Sequence, residues 1–113
     1  MNTDRPDPAQ TVYWRRDLPP LDGEPADEHT IEAASVRVAG RLAHGDEMWG
    51  RCYDDLMRAA RERIEQEIRR LGGRYAYVNR ESIDSKHDGA TDEGWLHGRF
   101  DFVLYRVTDG PSA

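Results

Sequence analysis

A chain of 113 residues suits one domain, and its net charge of −6 argues against a general nucleic-acid binder, which draws affinity from clustered Lys and Arg. With 37% hydrophobic and 34% charged residues, a core forms only if the polar residues collect in tails and on one helix face. The lone cysteine, Cys52, rules out an intramolecular disulfide, no apolar run nears the ~20 residues of a membrane span, and M-N-T-D-R-P-D-P-A-Q lacks a signal peptide's apolar centre, so a soluble cytoplasmic protein is expected.

Residues 1–28 hold Pro6, Pro8, Pro19, Pro20 and Pro25 among many acids, a composition that reads as an extended, largely disordered arm. Val12-Tyr13-Trp14 and Leu18 are its apolar points, expected to dock on the domain or on a neighbouring subunit. R-D-L-P-P-L (16–21) has the look of a polyproline ligand, but Asp22 stands where a second spaced proline belongs. The domain itself is expected over 29–108, with 109–113 as a frayed tail.

Thr30 to Ala43 reads as a strand, with Val36, Val38 and Leu42 alternating against Ser35, Arg37, Ala39 and Arg41. His44-Gly45-Asp46 turns the chain, with Asp46 suited to cap the next element. From Asp46 to Leu71, Trp49, Cys52, Tyr53, Leu56, Ala60, Ile64, Ile68 and Leu71 recur every three or four residues, the stripe of one long amphipathic helix. The spacing predicts ion pairs Asp54–Arg58 and Glu65–Arg69, and Gly72-Gly73 supplies a left-handed stop. Arg74–Asp84 reads as a second strand, Ser85–Gly94 as a polar hairpin loop, and Trp95–Val107 as a third strand. The predicted fold is α+β: a single β-α-β-β domain with the helix packed on one face of a three-stranded sheet.

Side-chain alternation assigns the two faces. Leu96, Gly98, Phe100, Phe102 and Leu104, joined by Ala76, Val78, Val36, Val38 and Leu42, are expected to bury the helix stripe. The other face is expected to carry Trp95, His97, Arg99, Asp101, Val103 and Tyr105, with Tyr75, Tyr77, Asn79 and Glu81 from the second strand and Ser35, Arg37, Ala39 and Arg41 from the first. One helix covers one face only, so this aromatic and arginine-rich face stands open. Such patches mark interfaces or ligand sites, and Tyr, Trp and Arg are favoured anchors there.

The chemistry-bearing residues give no enzyme motif. His29, His44, His87 and His97 fall at no metal-ligand spacing, and no second cysteine supports them. Asp84, Asp88, Gly89 and Asp92 fit positions of a calcium loop, yet Lys86 and Trp95 occupy two places that need oxygen ligands. No metal or cofactor is expected. Glu81, His97, Arg99 and Asp101 could converge as an acid–base group, but strands commonly pair such residues as ladder salt bridges. The basic residues are almost all arginine, Lys86 being the exception, a bias that a GC-rich bacterial genome also gives.

The run L-G-G-R-Y-A-Y-V, with Leu71, Gly72, Gly73, Ala76 and Val78, and Gly98 downstream, resembles the small YbjQ-type proteins over residues 47–107. The resemblance implies a dodecin-like fold and a ring-forming oligomeric habit. That family's paired N-terminal cysteines are absent here, so its heavy-metal label does not transfer. The sequence points to a non-catalytic, homo-oligomeric binding or scaffold module that uses the open aromatic face. Candidate ligand or interface residues are Arg37, Tyr75, Tyr77, Glu81, Trp95, His97, Arg99, Asp101 and Tyr105, with Trp95 and Tyr77 as chief anchors. The alternative is a small enzyme or ligand carrier sited on the same face, with a possible small-molecule ligand at Tyr77, Glu81, His97 and Arg99. An RNA-contacting sheet is a third reading, which the acidic balance opposes.

Overall fold

A computed structural model describes residues 11–15 and 24–106. Among them, β1 (Val12–Trp14), β2 (Glu24–Ala34), β3 (Val38–Ala39), β4 (Tyr75–Asp88) and β5 (Glu93–Arg106) form one mixed sheet, with α1 (Glu47–Leu71) between β3 and β4. Among the described residues the class is α+β with one helix. The sheet has five strands rather than three, in the order β1-β4-β5-β2, with β3 also on β5. β1 runs parallel to β4, while β4, β2 and β3 are antiparallel to β5.

Both additions lie where the composition hides a strand. Val12-Tyr13-Trp14 docks on its own domain by pairing with Ala76, Tyr77 and Val78, so three apolar residues are enough to extend the sheet. β2 starts at Glu24 and not at Thr30, because its alternation is apolar on one side only: Ile31 is buried while Thr30 and Glu32 are exposed. β1 and the first residues of β2 thus fall within the stretch assigned to the arm. Leu18, the R-D-L-P-P-L run and the 109–113 tail lie outside the described residues.

The expected first strand is also broken. Between Ala34 and Val38 one extra residue enters the edge: Ala34 faces His97, whereas Val38 faces Gly94. Side chains stand in for the missing ladder groups. Ser35 Oγ accepts a hydrogen bond from Leu96 N at 2.9 Å, and Asp55 Oδ2 accepts one from Val36 N at 2.8 Å. The bulge inverts the alternation, so Val36, expected in the core, is 57% exposed and Ser35, expected outside, is buried. Val38 and Leu42 do pack on the core.

The helix occupies the predicted span, ~37 Å long for 25 residues. Asp46 stands at the N-cap in extended conformation, but its carboxylate makes no capping bond. Gly72 ends the helix at φ 72°, and Gly73 N donates to Ile68 O at 2.9 Å, the expected left-handed stop. Arg106 Nη1 also donates to Leu71 O at 3.2 Å. The surface ion pairs differ from the predicted ones. Arg58 meets Asp55 at 3.5 Å, Arg51 meets Glu47 at 3.0 Å, and Arg70 meets Glu67 at 2.6 Å. Glu65 instead accepts from Thr11 Oγ1 at 3.4 Å, which ties the helix to the chain leading into β1.

The core lies between this helix and one sheet face. Cys52, Leu56, Ala60, Ile64 and Ile68 meet Leu96, Phe100, Phe102 and Leu104, together with Val12, Ile31, Ala76 and Val78. Trp14 closes it at the β1 side, edge-on to Phe100 at 5.9 Å between centroids. Glycine is required where chain segments cross. A Cβ on Gly94 would lie 2.4 Å from Gly40 O, because the β3–α1 connection passes directly over that strand; Arg41, expected on the open face, is carried away with it. A Cβ on Gly98 would lie 2.6 Å from Phe100 Cε2 and 3.2 Å from Leu56 Cδ2.

Candidate functional site

The sheet face opposite the helix divides along its length into two regions. β5 delivers the predicted row, since its alternate residues Leu96, Phe100, Phe102 and Leu104 are fully buried under α1. Trp95, His97, Arg99, Asp101, Val103 and Tyr105 therefore point to the other side.

At the helix-stop end, tyrosines gather. Tyr13, Tyr77 and Tyr105 form a second buried cluster with Tyr75 and Val103 packed against it. Cross-strand register explains the gathering, because Tyr13 faces Tyr77, Tyr77 faces Val103 and Tyr75 faces Tyr105. Tyr75 stacks on Tyr105 at 5.1 Å and meets Tyr13 edge-on at 5.6 Å. Tyr77 is only 4% exposed and Tyr105 7%, which corrects the expectation of an open tyrosine surface with Tyr77 as an anchor. β1 supplies Tyr13, which sequence reasoning saw only as a docking residue. Next to the cluster lies a hollow of about 480 Å³ lined by Pro25, Asp27, Glu28, Tyr77, Asn79, Val103 and Tyr105.

At the hairpin end, charges and one tryptophan prevail. The Arg37 guanidinium carbon lies 4.0 Å from the Trp95 ring centroid, a cation–π contact, and its Nη1 reaches Asp88 and Glu93, each at 3.7 Å. The β2–β3 break brings Arg37 to this place, where it bridges the hairpin end to the edge. His97 Nε2 lies 2.9 Å from Glu32 Oε1. Asp101 accepts a hydrogen bond from Thr30 Oγ1 at 2.7 Å and lies 3.6 Å from Arg99. Glu32 and Thr30 are the partners that the sequence reading missed; their signal was the exposed alternation within H-T-I-E.

Glu81 does not join this group. A bulge at Asn79 shifts the β4 register, so that Arg80 faces Asp101 and Glu81 faces Phe100 on the helix side. The proposed acid–base set is thereby split, and Asp84 takes the place opposite His97. Tyr77, the other member of the alternative site, faces Val103, six residues or ~20 Å along β5 from His97. The predicted loop is also shorter, since β4 runs to Asp88 and β5 begins at Glu93. His87 Nε2 lies 2.9 Å from Asp92 Oδ1 across this turn, and Asp88 Oδ1 accepts a hydrogen bond from Ala90 N.

The histidines are dispersed. His44 packs edge-on against Trp49, and His29 lies over Phe102 on the helix side, with its Nε2 buried and unbonded and Asp27 Oδ2 3.9 Å away. Among the described residues, no group of three or more His, Cys, Asp or Glu converges as a metal site, and no helix is long and apolar enough to cross a membrane. Comparison with protein families, with characterised proteins and with solved structures finds no match to this chain.

Proposed function

We propose that this chain is a non-catalytic, oligomeric binding or scaffold module that works through the hairpin half of the sheet face opposite the helix. One observation carries the reading: Trp95, half-buried under a braced Arg37, stands at the head of a row of His97, Arg99 and Asp101 on which no described element packs. A rigid aromatic with arginine beside it is the composition favoured at interface anchors. The charged side chains there are already matched by neighbours in the same sheet, as the His97–Glu32 and Asp101–Thr30 contacts illustrate. That arrangement suits a preorganised binding surface better than an acid–base centre. The resemblance to YbjQ-type proteins favours the same oligomeric habit.

The test is light scattering coupled to size exclusion on Trp95→Glu. Leu96 and Phe100 lie on the other side of the pleat, so the variant should keep its helix signal. It should lose roughly 2 kcal/mol or more of association energy and run at lower mass than the parent. A folded variant of unchanged mass rejects the face as the interface.

The second reading, a small-ligand carrier, rests on the hollow beside the tyrosines, whose 480 Å³ is within the size range of small-molecule sites. It predicts that Val103→Trp, which fills the hollow, abolishes binding of a ligand while the protein's mass stays the same.

A further inference from the structure

Among the described residues, the outer edge of β4 is paired over only part of its length. β1 covers Ala76–Val78, and Arg15 N donating to Val78 O at 2.9 Å closes that ladder before the Asn79 bulge. β4 then continues to Asp88. The ladder on the far side shows which of its amides face outward. Ser35 N donates to Leu96 O, so Leu96 turns its backbone groups toward β2, and by alternation so do Gly98 and Gly94. Their partners on β4, Ser85, Ile83 and His87, therefore direct their N–H and C=O away from β5. No strand among the described residues pairs with them. Open edges of this kind are templates for another chain.

The side chains along this edge specify that chain. Ser82–Asp88 reads S-I-D-S-K-H-D. Run antiparallel against itself about Ser85, it sets Ile83 opposite His87 and Asp84 opposite Lys86 on both sides of the axis. Asp84 and Lys86 are exposed and share the face opposite the helix. They occupy non-hydrogen-bonded positions, where cross-strand side chains come closest. The neighbouring registers that keep the amides in phase are worse. One sets Asp84 against Asp84; the other sets Lys86 against Lys86 and Asp84 against Asp88. β1 also stops the partner strand from sliding back past Val78.

We propose that a second copy of this chain pairs antiparallel along Ser82–Asp88, joining two sheets across a two-fold axis at Ser85 with about six backbone hydrogen bonds. This rests on the oligomeric reading above but uses the strand edge, not the sheet face, so the two fail separately.

The experiment is light scattering of the full chain over a concentration series, with Lys86→Asp and with the swapped pair Asp84→Lys plus Lys86→Asp. The single reversal turns both Asp84–Lys86 contacts repulsive and should weaken dimerisation roughly 10-fold. The swap should restore it. Both positions are exposed, so circular dichroism should stay unchanged in each variant. A monomeric parent overturns the proposal, as does a dimer indifferent to Lys86→Asp or one that the swap leaves weak. Dissociation by Trp95→Glu with a silent Lys86→Asp retains the face and rejects the edge; the reverse retains the edge and rejects the face.

Discussion

The two sides of the sheet solve opposite problems. Under the helix, Leu56, Ala60, Ile64, Phe100, Phe102 and Leu104 are fully buried, and glycines sit where a Cβ would collide. On the far side the same strand carries Trp95, His97, Arg99 and Asp101, held by lateral contacts with Arg37, Glu32 and Thr30. The first side is stabilised by loss of apolar surface to another element of the same chain. The second is ordered at its hairpin end by contacts with neighbouring strands and with Arg37, and no described element packs on it. Mutations should separate the two: those under the helix should act on folding, and those at the hairpin end on association.

The largest separation is expected at the centre. Leu56→Ala and Phe100→Ala each remove fully buried volume and should cost about 2–5 kcal/mol of folding stability, measured by denaturant unfolding. Next comes Gly94→Ala, whose new methyl would press on Gly40 O. Backbone must yield there, so a loss of about 1–3 kcal/mol is expected in the same assay. The smallest effect belongs to the helix surface. The hydrogen bond from Arg70 holds the Glu67 carboxyl below its ordinary value of 4.5. A carboxylate with a depressed pKa stabilises the fold above its unfolded value and loses that contribution as pH falls through the folded one. The pair is largely solvated, so Glu67→Gln should cost only about 0.3–0.5 kcal/mol at neutral pH. Stability curves of parent and variant should converge in acid.

Much of the core side was legible from spacing. The helix span, the Gly72 stop and the β5 alternation follow from a 3.6-residue stripe and a two-residue alternation that nothing interrupts. What the sequence concealed were single-residue irregularities. The extra residue at Ser35–Arg37 exposes Val36, and the bulge at Asn79 moves Glu81 to the helix side; neither leaves a compositional mark, because the compensating bonds come from Ser35, Asp55 and cross-strand partners far along the chain. β1 escaped because proline and acid around it outweighed three apolar residues. Its arrival beside β4 sets Tyr13 against Tyr77 in a buried tyrosine cluster at one end of the predicted site. Trp95, Arg37, His97, Arg99 and Asp101 stand on the expected face because they lie on or against β5, whose alternation is unbroken.

The most direct test of the proposed binding face is hydroxyl-radical footprinting over a range of protein concentrations. Met48, 42% exposed on the helix, serves as an internal reference away from the sheet face. Oxidation of Trp95 should fall relative to Met48 as concentration rises and the face becomes covered. A Trp95-to-Met48 ratio that stays constant from the most dilute to the most concentrated sample would contradict the account.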